Sequence, residues 1–279
     1  MLNLLRLLAV CCMLITASAS VFAQKSVYLE ELTTAEVAAI VKNSPSVVII
    51  PVGGTEQNGP HMAIGKHNTR VKVLAGRIAT QLTTQTTTLS AAQKINVIVA
   101  PVVSYVPEGN INPPTEHMKW AGTVSISEDA FKSMLLSAAR SFKQHGFTDI
   151  VILGDSGNYQ SLLAQVAANF NKDAKNAPSR MHFIGEYYQA SQSTYIAALK
   201  AKGLSDAEIG THAGSADTSL LMAIEPAMVK PDKFAEAAKN GRAGGTLGDP
   251  RASSAALGQM GADVVVKMGV LAIQKAILK

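Results

Sequence analysis

The sequence predicts an α/β protein in which a mostly parallel sheet lies between two layers of helices, a three-layer α/β/α sandwich. Two observations carry this expectation. Three short runs, SVVIIPV at 46–52, INVIVAPVV at 95–103 and DIVILG at 149–154, are apolar beyond one polar residue near the start of each, rather than alternating, as strands covered on both faces are. Stretches with helical signals separate them, the order expected of parallel strands joined by helices.

Taken in order, Thr33 to Lys42 reads as a helix opened by a Thr33-x-x-Glu36 capping box. The first apolar run follows, then a helix from Asn68 to Gln81 with Asn68 as its cap. The threonine-rich piece from Gln81 to Gln93 reads as a surface connection. Beyond the second run, Ser127 to His145 carries Glu128 and Asp129 in its first turn and stops at Gly146, the polarity a helix dipole favours. The third run leads to a helix over Asn158 to Asn169, MHFIG at 181–185 is a weaker fourth strand, and Leu220 to Ile224 belongs to an apolar helix. In open α/β sheets chemistry gathers outside the carboxyl ends of the strands. That singles out the loop Gly53 to Asn68 after the first strand and the loop Asp155 to Gln160 after the third.

Composition narrows the function. The chain has 279 residues, 47% hydrophobic and 16% charged, with a net charge of +5; this is a globular composition. Its positive charge is spread thinly, with no basic run, so nucleic acid is not an expected partner. Residues 1–23 read as a signal peptide: Arg6 near the start, an apolar run over Leu7 to Ile15 too short to span a bilayer, and small residues up to Ala23. The remaining residues, 24–279, read as a single periplasmic or secreted domain, free of the membrane once the signal is removed. Both cysteines, Cys11 and Cys12, leave with the signal. The exported chain therefore has no disulfide, no thiol nucleophile and no thiolate ligand.

Within the first loop Glu56, His61 and His67 lie close together, carboxylate and imidazole being what zinc, manganese or iron takes where thiolate is absent. Histidines that only order the loop fit this cluster as well. A second cluster, His212 to Ser219, precedes the apolar helix, where Asp217 could serve as an N-cap. His117 and the single tryptophan, Trp120, follow the second strand. His61 is expected to order its loop, and Glu108 and Glu116 to lie in solvent.

Five blocks carry a family resemblance: PVGGTEQNGPHMAIGKHN in the first loop, TEHMKWAGTVSIS at 115–127, HGFTDIVILGDSGN at 145–158, THAGSADTSLLMAIEP at 211–226 and GGTLGDPRASSAALGQ at 244–259. In this order they resemble the creatininase (creatinine amidohydrolase) family over nearly the whole exported chain. The resemblance implies a creatininase-like three-layer fold, frequent assembly as a homo-oligomer, and a metal centre that hydrolyses unusual C–N amide bonds. Family members open the creatinine ring, deformylate a pyrimidine intermediate or trim a small peptide precursor.

The chain departs from the family pattern at the ligands. Glu56, His61 and His212 match, but Asn58 and Asp155 stand where the family has histidine, His67 where it has an aspartate that bridges two ions, and Asp217 where it has glutamate. An imidazole offers one lone pair and cannot bridge, so the expectation is one divalent ion (zinc, manganese or iron) held by Glu56, His67 and Asp155. Asp217 is expected as a fourth ligand or base and His212 as a proton shuttle. Asn58, His117, Trp120 and Asn158 are expected to meet the substrate. The expected activity is hydrolysis of a small cyclic or linear amide. The alternatives are a lactonase on the same centre, or a binding protein that has lost catalysis.

Overall fold

The apolar runs become strands because an unbroken Val/Ile sequence can bury both faces of a pleated chain. The structure is a computed structural model that describes residues 26–43, 45–86 and 95–277. The expected signal at 1–23 and residues 87–94 of the threonine-rich connection lie outside these. The elements are α1 (Thr34–Asn43), β1 (Ser46–Val52), α2 (Lys66–Thr86), β2 (Asn96–Val99), α3 (Glu128–Gln144), β3 (Asp149–Gly154) and α4 (Gln160–Lys172). They continue with β4 (Arg180–Phe183), α5 (Gly185–Gln192), α6 (Thr194–Ala201), α7 (Asp206–Ile209), α8 (Ser215–Ile224), α9 (Phe234–Asn240) and α10 (Ala255–Ile277).

The four strands pair in the order β2-β1-β3-β4, every pair parallel. Every residue of β1 is buried. Val47 and Ile49 face one core with Leu74 and Ile78 of α2, Tyr187 of α5 and Val265 and Val270 of α10. Val48, Ile50 and Val52 face the other, with Phe131 and Leu135 of α3 and Leu163, Val166 and Phe170 of α4. This is the expected three-layer sandwich.

Some boundaries moved, for identifiable reasons. The expected Thr33–Glu36 capping box forms, with Glu36 Oε2 accepting from Thr33 N at 2.9 Å and Thr33 Oγ1 from Glu36 N at 3.4 Å. The second run ends as a strand at Val99, before Pro101, which has no N–H for a ladder. Val103 then returns to β1, donating to Pro51 O at 2.9 Å. Helix α2 starts two residues before Asn68, whose side chain serves elsewhere: Oδ1 accepts from Gly54 N at 2.9 Å and Nδ2 donates to Thr55 Oγ1 at 3.1 Å. Part of the threonine-rich connection, up to Thr86, continues α2.

Helix α10 is long and apolar enough by composition to cross a membrane. It is packed in the first core through Ala262, Val265, Val266, Val270 and Ile273. Its backbone meets α8 so closely at Gly258 that a Cβ there would lie 1.7 Å from Ser219 O.

From β1 the chain passes through α2 to β2 on one side, and from β2 through α3 back across β1 to β3 on the other. The sheet order therefore reverses between β1 and β3, and their carboxyl ends diverge into a crevice. Both candidate loops open there.

Candidate active site

Helix α2 projects a charged face into the crevice. Lys66, His67 and Arg70 all come from its first turns, with Lys66 and Arg70 one turn apart, and all three are buried. They meet three carboxylates: Glu56 from the loop after β1, Asp155 from the end of β3 and Asp217 from the first turn of α8.

Glu56, His67 and Asp155 come together, as expected, but as a chain of hydrogen bonds rather than three donors aimed at one point. His67 Nε2 lies 2.8 Å from Glu56 Oε1 and Nδ1 lies 2.6 Å from Asp155 Oδ2. Arg70 Nη2 also lies 3.3 Å from the same Nδ1. Each ring nitrogen therefore faces a different carboxylate, and the two do not converge on one point.

Asp155 is further bound by Arg70, whose Nη2 stands 2.7 Å and Nε 2.9 Å from Oδ2, while Tyr187 donates to Oδ1 at 2.9 Å. Asp217 Oδ1 accepts from Arg70 Nη1 at 2.6 Å, and Oδ2 accepts from Lys66 at 3.2 Å and from Ala213 N at 3.0 Å. Burial pushes both carboxyls up. At Asp155 the charge of Arg70 and the bond to His67 overcome it, and at Asp217 the charges of Lys66 and Arg70 do, so both stay ionised below their ordinary range. Asp217, expected as a ligand or base, is thus an anionic carboxylate in the cavity wall whose oxygens are engaged by Arg70, Lys66 and Ala213 N. The N-cap position it could have filled is taken by Gly214, and Asp217 lies within the first turn of α8, which starts at Ser215.

A different donor set presents itself beside Glu56. One donor atom each from Glu56, His117 and His212 lies within 4.8 Å of the other two. His117 Nε2 stands 3.4 Å from Glu56 Oε2, and His212 Nδ1 stands 3.6 Å from Oε1. Around a tetrahedral ion with bonds of about 2.0–2.1 Å, neighbouring donors are about 3.4 Å apart, so these separations fit. Burial keeps both imidazoles neutral, lowering His117 and holding His212 down at about 4; the neutral ring is the form that binds metal. Glu56 is held anionic although burial opposes it, because His67 and Lys66 supply positive charge. These three residues could hold one divalent ion.

The backbone around the two histidines is specialised. Among the described residues the only non-glycine residues with left-handed φ are Glu116 (φ 44°) and Ala213 (φ 56°), each adjacent to one of them. Such strain persists where surrounding structure over-determines it, and it clusters at functional sites. Gln57 ties the rings together: its Nε2 lies 3.2 Å from His117 Nδ1 and 3.1 Å from His212 Nε2, its carbonyl lies 3.0 Å from the same Nε2, and its Oε1 accepts from Gly59 N at 3.0 Å. Both ring nitrogens of His212, expected as a proton shuttle, are thus placed, Nε2 against Gln57 and Nδ1 beside Glu56 Oε1. Gly245, at φ +81°, makes room for Gln57, since a Cβ there would lie 2.0 Å from Oε1.

The site opens into a cavity of about 380 Å³ whose lining includes His117, Trp120, Asn158 and Tyr188. Three of the four residues expected to meet substrate therefore reach it. Asn58 does not: it is buried away from the cavity, donating to Glu56 O and Ala63 O at 2.9 and 3.2 Å. The expected solvated Glu108 is also buried, its Oε2 accepting from Asn158 Nδ2 at 2.9 Å. Burial and the adjacent Glu56 push its carboxyl up to about 9, leaving it protonated at neutral pH. His61 stands apart from the cavity, 3.0 Å from Thr218 Oγ1 and edge-on to Phe234.

The fold and site together describe an α/β/α enzyme with a carboxylate–histidine centre at a topological switch. The sequence profile of creatinine amidohydrolase, the creatininase family, matches residues 30–273. The chain belongs to this family and is an amidohydrolase-type enzyme. It is similar to the mycofactocin precursor peptide peptidase of Mycolicibacterium smegmatis, 28% identical over 229 residues covering 76% of this chain and 78% of that one. Among solved structures it shares its fold with a manganese creatininase (TM-score 0.68, 22% identity, covering 90% of this chain and 99% of the other). A creatininase variant of the Zn–Zn type is likewise similar (TM-score 0.66, 21% identity, 90% and 98% covered).

Proposed function

We propose that this protein hydrolyses an amide bond in a small cyclic or linear molecule, using one divalent ion held by Glu56, His117 and His212. The observation that carries the reading is the buried Glu56 carboxylate with His117 Nε2 3.4 Å and His212 Nδ1 3.6 Å from its oxygens. When bound, a divalent ion would supply an acidified water and an electrophile for the carbonyl oxygen. The chain's own residues do the rest. Gln57 and the strained turns at Glu116 and Ala213 fix the rings. Arg70 and Lys66 neutralise Asp155 and Asp217, so that neither competes for the ion. Trp120 and Tyr188 give the cavity aromatic wall for the body of a substrate. Zinc and manganese suit this donor set, and both occur in structures of the family. Export as a periplasmic or secreted enzyme, read from residues 1–23, is part of the same proposal.

The test is metal content. Protein purified without a metal-binding tag and equilibrated with zinc is expected to retain one equivalent by elemental analysis. His117→Ala and His212→Ala are expected to lose it, and His61→Gln to keep it. Absence of zinc from the unaltered protein, or its retention in both alanine variants, contradicts the proposal.

A further inference from the structure

Lys66 is the residue of this site that the reading above leaves without chemistry. Its side chain is buried yet lines the cavity. Its ammonium stands 3.2 Å from Asp217 Oδ2 and 3.5 Å from Glu56 Oε1. An ammonium carries three N–H donors, and no third acceptor for it occurs among the described residues. Lysine is rarely buried unless paired, and here the pairing leaves one donor over, in the wall of a cavity. Arg70, by contrast, is engaged with Asp155 and Asp217.

We propose that Lys66 is the second cation of the active site, standing between Glu56 and Asp217 and presenting its remaining N–H to the carbonyl oxygen of the substrate. The proposal rests on the one-ion reading above. Its electrostatics follow from the placement. With the charges of Lys66 and Arg70 set against Asp155 and Asp217, and with His67 bonded to Glu56, carboxylate charge remains for one divalent ion and not for two. In hydrolysis, water adds to the carbonyl carbon and the π pair moves onto oxygen. The oxygen pair then re-forms the C=O bond as the C–N bond breaks, its electron pair going to nitrogen together with the proton that the added water gives up, which leaves a carboxylic acid and an amine. Lys66 contributes charge and one hydrogen bond to the developing oxyanion, the kind of fixed donor that stabilises such states. A fixed cation beside Glu56 must also repel the bound ion, so Lys66 weakens metal binding while strengthening oxyanion binding.

Those opposite effects make the test. Zinc and acetate, a small carboxylate of the kind amide hydrolysis releases, serve as probes on the full exported chain. The unaltered protein is expected to bind one zinc. Lys66→Met is expected to bind zinc about tenfold more tightly and acetate, on the zinc-loaded protein, about tenfold more weakly. Lys66→Arg, which keeps the charge, is expected to stay within about threefold of the unaltered protein on both. A merely structural lysine would not move the two affinities in opposite directions. One zinc with both affinities unchanged in Lys66→Met overturns the role of Lys66 alone. No zinc in the unaltered protein overturns the one-ion reading and this proposal with it. Two equivalents of zinc in the unaltered protein overturn the proposal even if Lys66→Met does not fold.

Discussion

Arg70 shows how much of this site is decided by single side chains. Its guanidinium binds Asp155 Oδ2 and Asp217 Oδ1 at once, and it is itself buried. Burial disfavours its charge, but the two aspartates outweigh this and keep it protonated. Replacing Arg70 with methionine would leave Asp155 buried with only His67 and Tyr187 as side-chain partners. Removing one partner of a buried ion pair costs about 3–5 kcal/mol, so Arg70→Met is expected to lose stability of that order in urea unfolding. Arg70→Lys should recover only part, because an ammonium cannot reproduce the planar fork. A loss below about 1 kcal/mol would show that the pair does not hold the crevice together. Neither Lys66 nor Arg70 stood out in the sequence. Charged helix residues are ordinarily solvated, and the K-H-N-T-R spelling gives no sign that this turn faces inward. The one available signal was the spacing, which sets Lys66 and Arg70 on the same face as His67, itself a candidate. Glu108 was hidden for the same reason: its burial follows from packing against Glu56 and Asn158, far away in sequence.

At the scale of elements, the loop after β1 owes its shape to contacts with α8 as much as to its own glycines. His61 anchors it, with Nε2 against Thr218 Oγ1 and the ring at 0% exposure. Burial holds this imidazole down at about 4, from an ordinary 6.5. The folded-state value lies below the unfolded one, so the unfolded chain takes up the proton first as pH falls. The stability tied to the neutral ring is fully present above about pH 6.5 and is lost progressively down to about pH 4. Comparing the unaltered protein with His61→Gln isolates the effect from other titrating groups. Between pH 7 and pH 4.5 the unaltered protein is expected to lose on the order of 2 kcal/mol relative to the variant. A difference that does not change with pH would mean the ring is protonated or exposed in the fold. Element identity was largely legible here. The unbroken Val/Ile runs gave β1 and β3, and the Thr33–Glu36 box gave the start of α1. Ends were less so, because Pro101 and the tertiary use of Asn68 override local signals. Among the described elements beyond β4, only α8 had been read in part, since α10 is apolar around too much of its surface to show a helical stripe.

At the scale of the whole molecule, the reversal of strand order between β1 and β3 is what gathers residues from four separate blocks around Glu56. Sequence blocks in family order were enough to place the fold and to locate the loops that meet. They could not say which members of those loops would face one another. His67 and Asp155 were read as having exchanged places around an ion. In the structure the exchange instead builds an ion-pair network with Arg70, and the donors beside Glu56 are His117 and His212. That difference depends on side-chain direction and on a buried arginine, neither of which a one-dimensional pattern records. The most direct measurement is an anomalous difference map from crystals of the protein grown with manganese or zinc. The account predicts one peak within about 2.0–2.2 Å of Glu56, His117 Nε2 and His212 Nδ1. A peak between Glu56, His67 and Asp155, or two peaks in the crevice, would contradict it.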